Sequence, residues 1–216
     1  MKGLKVCVTA GPTRETIDPV RFISNRSTGK MGFALAKNAM ERGADVTLVS
    51  GPVELKDVPF VKMVHVESAR QMFEAVTKEA ETADIIVKAA AVADYRPAVV
   101  ADEKIKKKDG DMSIALERTD DIIGTLGKTK RDNLFLCGFS METEHMLENS
   151  KAKLEKKNLD MIIANNVKVK GAGVGTDTKV VTRITKDEIK ELPIMSKEDV
   201  ADEIFNNILA NRKGIV

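Results

Sequence analysis

The chain has no Trp, a single Tyr and only two Cys in 216 residues. With seven Phe besides, it lacks the aromatic platforms on which single-stranded nucleic acids stack their bases. Cys7 and Cys137 lie far apart within apolar runs and cannot make a metal quartet. They read as buried thiols of a reducing, cytoplasmic compartment. Neither sign of charge dominates: 35 Lys+Arg face 33 Asp+Glu, a formal charge of +2. General nucleic-acid binders carry a strong basic excess, so any anion site here must be local. No apolar run approaches the ~18 residues that cross a bilayer, which argues against a membrane partner. The apolar stretch after Met1 stops at Gly11-Pro12, too short for a signal-peptide core.

Apolar residues make up 43% of the chain, enough for a sizeable core, and the length fits one domain spanning 1–216. Strand-length apolar runs alternate with helix-period segments, which predicts an α/β fold: a Rossmann-like parallel sheet flanked by helices. Leu4 to Thr9, Asp45 to Ser50, Asp84 to Ala91, Asn133 to Phe139 and Asp160 to Ala164 are the expected strands. Helices are expected from Gly29 to Gly43, after the Ser68/Gln71 capping box, around Met146, Leu147, Ser150 and Leu154, and from Ser196 onward. Lys179 to Ile184 and Glu188 to Leu192 predict a C-terminal antiparallel hairpin. Asp102 to Asp111 carries four lysines in five positions and no core-facing pattern, so it reads as a loop.

Open α/β sheets bind ligands at the carboxyl ends of their strands. The first such connection lacks G-x-G-x-x-G and is instead a long polar stretch, Thr13 to Thr28, of the kind that is more often functional than decorative. It ends in Ser27-Thr28-Gly29-Lys30-Met31-Gly32, where backbone N–H groups at a helix start suit a phosphate; simple N-capping is the equal alternative. A Walker motif is excluded by Ser24 and Met31. Within the stretch, Arg21 can clamp a phosphate or carboxylate and Asn25 offers both a donor and an acceptor; either could equally stabilise the loop. Asp94 ends the third strand, where a ribose or metal contact is plausible chemistry.

Taken in order, Ala10 to Glu15, Asp18 to Asn25, Ser27 to Gly32, Ala89 to Pro97 and Lys104 to Lys107 resemble the signature of the phosphopantothenate–cysteine ligases over nearly the whole chain, Lys5 to about Leu209. In many bacteria that ligase is the C-terminal half of a bifunctional flavoprotein. The resemblance implies a reaction. The carboxylate of 4′-phosphopantothenate attacks the α-phosphate of CTP in the presence of Mg²⁺, pyrophosphate leaves, and cysteine displaces CMP from the acyl-cytidylate. It also implies site roles. Asn25 would hold the acyl-cytidylate, Lys104 would act from a flap of about 98–112, and Arg21 would help gather the anions. Ser27, Gly29, Ala89, Ala90, Asp94, Asp120, Asp121, Ile122, Phe139, Lys153 and Lys157 would contact the nucleotide. Without the resemblance, Phe139 reads as core and the last two lysines as solvated helix residues. Metal ligands are left unassigned. A homodimer, and fusion to or association with the flavin-dependent decarboxylase, are further expectations.

The chain departs from the family pattern at Thr119-Asp120-Asp121-Ile122, at Ser140-Met141 and at Lys88, which bears on strict CTP preference. Two other readings compete. A nicotinamide-dependent short-chain reductase needs Tyr-x-x-x-Lys, but Val99 follows Tyr95 at that spacing. A non-enzymatic phosphate- or RNA-binding module could use the lysine-rich loop, against which the near-zero net charge counts.

Overall fold

The computed structural model describes residues 1–107, 110–142, 145–166, 178–179 and 181–212. Lys108 and Asp109 of the lysine-rich segment, Thr143 and Val180 lie outside them. In chain order the elements are β1 (Lys5–Ala10), β2 (Arg14–Thr16), β3 (Phe22–Ser24), α1 (Lys30–Glu41), β4 (Asp45–Ser50), β5 (Lys62–His65) and α2 (Ala69–Ala80). Next come β6 (Ile85–Lys88), β7 (Tyr95–Pro97), β8 (Leu116–Arg118), α3 (Ile122–Lys128), β9 (Phe135–Glu142) and α4 (Met146–Lys156). The chain closes with β10 (Met161–Asn166), β11 (Thr178–Lys179), β12 (Val181–Thr185), β13 (Ile189–Glu191), β14 (Met195–Ser196) and α5 (Lys197–Asn211).

Strand burial shows why these runs form a sheet. In β1, Val6, Val8 and Ala10 enter one core cluster while Cys7 enters the other. The same alternation places Ile85 and Val87 opposite Ile86, and Met161 and Ile163 opposite Ile162 and Ala164. Both faces are apolar, as a helix-covered parallel sheet requires. Helices α1 and α5 cover one face; α2, α3 and α4 cover the other. Both cysteines are buried, and burial raises the Cys7 thiol to about 12.

The main sheet runs β13-β12-β10-β9-β6-β1-β4-β5. From β10 to β5 all pairs are parallel; β12 and β13 close one edge antiparallel. Strand order therefore reverses between β1 and β6, the switch point at which such sheets bind ligands. The predicted C-terminal hairpin is present as β12–β13, whereas Lys179 pairs with Met195 in the separate β11–β14 ribbon. The capping box on α2 is complete, and Ser196 caps α5. On α4 the expected face is only partly buried: Ser150 and Leu154 are covered, but Leu147 is exposed. The stretch after β1 is not simply a loop, because β2 and β3 pair within it, and β7 pairs β8 in a second small hairpin.

Helix α1 lies tight on β1. A Cβ on Gly32 would sit 2.5 Å from the Ala10 Cβ and 2.7 Å from the Thr9 carbonyl oxygen. Gly32→Ala should therefore cost about 1–3 kcal/mol through overpacking. A thermal melt checks this: a Tm unchanged from wild type would mean that the helix shifts freely.

Candidate functional site

Beyond β1 and β6 the chain continues as two adjacent loops. Ala91 N–H donates to the Gly11 carbonyl at 2.9 Å, and the Ala91 carbonyl accepts from Thr13 N–H at 3.4 Å. Ala90 N–H donates to Thr9 Oγ1 and Ala93 N–H to Thr13 Oγ1, at 3.1 and 3.0 Å. Against this base rests the start of α1. Gly29, at φ 77°, is its N-cap and supplies no side chain, while Ser27 Oγ accepts from Gly29 N–H at 3.4 Å. The N-terminus of α1 thus faces the cavity beside it without a side-chain cap.

Two cavities open here. The first, about 410 Å³, is lined by Asn25, Ser27, Gly29, Ala89, Ala90 and Phe139, among others. Asn25 is oriented by Nδ2 donating to the Ala91 carbonyl at 2.9 Å. The second, about 370 Å³, is lined by Lys88, Asp94, Asp120, Asp121, Ile122, Phe139, Lys153 and Lys157, with others. Thr119 gathers its acidic side: its N–H reaches the Asp94 carbonyl at 3.0 Å and its Oγ1 the Ala93 carbonyl at 2.6 Å. Asp121 then caps α3 through Gly124 N–H and pairs with Lys157 at 2.9 Å. Lys153 Nζ lies 3.5 Å from the Phe139 carbonyl. Phe139 is the wall common to both cavities.

Twelve of the residues singled out from sequence thus fall into two neighbouring cavities. Arg21 and Lys104 line neither. The Arg21 guanidinium pairs with Asp18 and donates to the Ile105 carbonyl at 2.7 Å, and Lys104 is exposed. Among the described residues no group of three His, Cys, Asp or Glu is arranged to hold a metal ion. Nor is any helix long and apolar enough to cross a membrane.

Sequence reasoning missed Asn165. It is 2% exposed, lines the first cavity, and neither its Nδ2 nor its Oδ1 has a hydrogen-bond partner among the described residues. A buried amide left unpaired costs on the order of 1–3 kcal/mol, an expense that a polar ligand offsets. The signal was present: in Met161-Ile162-Ile163-Ala164-Asn165 a polar residue interrupts an apolar strand at its carboxyl end.

A mostly parallel sheet in this order, covered by helices on both faces and with cavities at the carboxyl ends of its strands, defines a Rossmann-like α/β domain. The chain matches the family "DNA/pantothenate metabolism flavoprotein C-terminal domain" over residues 1–211 and belongs to it. It is 51% identical to the coenzyme A biosynthesis bifunctional protein CoaBC of Bacillus subtilis (strain 168), over 99% of this chain and 53% of that protein. The chain therefore spans about half the length of that relative. The crystal structure of the C-terminal domain of a CoaBC protein superposes with a TM-score of 0.82 at 44% identity, covering 96% of this chain and 95% of that one. A Cab2 variant in complex with phosphopantothenate-cysteine shares the fold, with a TM-score of 0.77 at 17% identity over 94% of this chain and 86% of its own.

Lys88 marks the second cavity electrostatically. It ends β6, is half-buried, and has no hydrogen bond or ion pair among the described residues. Burial and the nearby Lys153 lower its pKa to about 8, against a smaller opposing pull from Asp94. An unfolded lysine titrates near 10.4, so between about pH 8 and 10.4 the unfolded chain binds more protons. Stability from this group consequently rises with pH across that window, and below it the buried charge is a full cost. Lys88→Met should raise the Tm at pH 7 by about 3 °C or more, and the gain should shrink by pH 10. Melts of both proteins at the two pH values decide this; an equal difference at both would refute it.

Proposed function

We propose that the chain is the ligase of coenzyme A biosynthesis that joins 4′-phosphopantothenate to cysteine at the expense of CTP. The observation that carries the reading is the pair of cavities meeting at Phe139, one for the acid and one for the nucleotide. A carboxylate is a poor electrophile. Two anions must be held in contact before its oxygen can displace pyrophosphate from the α-phosphate.

In this reading the phosphate of the acid sits at the N-terminus of α1, beside Ser27 and Gly29, where backbone N–H groups and the helix dipole favour it. Its amide and hydroxyl groups offer partners to Asn165, and Asn25 donates to the acyl group. The nucleotide occupies the second cavity, with Lys88, Lys153 and Lys157 balancing its charge and Asp94 or Asp120 taking ribose hydroxyls. Mg²⁺ is held mainly by phosphates with one or two carboxylates, so it fits a site lacking a protein-built cage; it would shield the triphosphate during attack. The amine of cysteine then attacks the acyl carbon, CMP leaves with the bonding pair, and the ammonium proton is lost to water.

The half-length match to CoaBC supports a partnership, by fusion or association, with the flavin-dependent decarboxylase. The buried free thiols accord with a cytoplasmic location. Val20 and Phe22 on one small hairpin, and Tyr95 and Leu116 on the other, are exposed apolar side chains on contacting elements. A second copy of the chain covering them gives a homodimer, so light scattering should report twice the chain mass. A monomer with full activity would contradict that.

The central test is direct. Incubation with CTP, Mg²⁺, 4′-phosphopantothenate and cysteine should release pyrophosphate and CMP and form the amide. Omitting cysteine should leave the acyl-cytidylate bound. Absence of pyrophosphate release under all conditions would sink the reading, and equal turnover with ATP would sink only the base preference. Asn25→Asp should slow consumption of the acyl-cytidylate about 100-fold, the usual scale for losing such a donor. Single-turnover rates equal to wild type in both half-reactions would remove Asn25 from the chemistry.

A further inference from the structure

Asp18 is 1% exposed, and its carboxylate is the meeting point of two segments far apart in sequence. Oδ1 accepts from Val20 N–H and Arg21 N–H, both at 2.9 Å, which closes the turn between β2 and β3. Oδ2 accepts from Arg21 Nε at 3.0 Å and from Ile105 N–H at 3.1 Å. Arg21 Nη2 in turn donates to the Ile105 carbonyl at 2.7 Å. The Asp18–Arg21 pair therefore engages both backbone groups of one residue, as a neighbouring β-strand would. A second tie, Ala101 N–H to the Ile17 carbonyl at 3.0 Å, holds the same segment upstream.

The captured residue lies between Lys104 and Lys106. Among the described residues from Asp94 to Asp121 no side chain enters either core cluster, so pinning Ile105 adds little to the packing of the domain. Burying a carboxylate is costly unless it is fully hydrogen-bonded. Here that cost is met at a place whose visible effect is to fix the backbone next to Lys104.

We propose that Asp18, acting with Arg21, is a positioning residue that sets the place and direction of Lys104 by clamping the peptide groups of Ile105. The inference rests on the ligase reading in one respect: that Lys104 acts on the nucleotide. A lysine one residue from a fixed peptide explores far less space than one on a free loop, and confining a reacting group in this way raises its effective concentration. The lysine-rich segment is thereby divided. Its first part is bound to the β2–β3 hairpin through Ile17 and Ile105. This also reassigns Arg21: its guanidinium is committed to holding the loop, and its influence on phosphates passes through Lys104.

Two variants separate this from a merely structural role. Asp18→Asn keeps an oxygen for the turn but sets an amide against Ile105 N–H. Ile105→Pro deletes the donor on the loop side and leaves the turn intact. Each should accelerate trypsin cleavage after Lys106 and Lys107 about tenfold, the scale of losing one hydrogen bond to a charged group, with the Tm lowered by no more than about 10 °C and the fold retained. Each should lower the rate of pyrophosphate release about tenfold while leaving the KM for CTP within about twofold. In a Lys104→Gln background Asp18→Asn should add no further loss. Wild-type cleavage rates in both variants would overturn the proposal, as would an undiminished effect of Asp18→Asn on top of Lys104→Gln. If wild type releases no pyrophosphate, the ligase reading fails and the cleavage measurement still decides the clamp.

Discussion

The peptide of Ala91 joins the two loops on which the site is built. Its N–H reaches Gly11 in the loop after β1; its carbonyl takes Thr13 N–H and the Asn25 amide. With these bonds the loops after β1 and β6 run side by side, and the floor of the first cavity is continuous. They form only because the two strands are neighbours in register, Val6 opposite Ile85 through Thr9 opposite Lys88. The sheet order thus fixes which loops meet, and that meeting fixes where Asn25 stands.

The second constraint is charge. A chain with almost no net charge can hold anions only by concentrating cations locally, and the second cavity does so with Lys88, Lys153 and Lys157. Asp121 compensates Lys157 and caps α3 at once, so one carboxylate serves both helix and cavity. Lys88 is left without such a partner among the described residues, and its lowered pKa is the physical trace of that deficit.

Much of this was legible in the sequence, for identifiable reasons. Buried parallel strands such as β1 and β10 are continuous apolar runs, and the caps at Ser68 and Ser196 follow local rules that the structure bears out. Short strands were not legible: β2, β3, β7 and β8 have three residues each, too few to show an alternating pattern. Leu147 was assigned to a buried face because helical spacing defines a stripe without saying how wide it is. At the site, motif order suggested the residue set, but only the fold divides it between two cavities. Asn165 escaped because the predicted strand stopped at Ala164, one residue before its ligand-facing end. The tie between Asp18 and Ile105 spans 87 positions, beyond any local pattern.

A wall shared by two chambers has a thermodynamic meaning. Any displacement of the Phe139 ring that widens one cavity alters the shape of the other, so ligands held in both would not bind independently. Linkage makes this influence mutual and equal: whatever factor one ligand imposes on the affinity of its neighbour is returned in full. A single aromatic side chain midway along β9 thus couples the two cavities of this small domain.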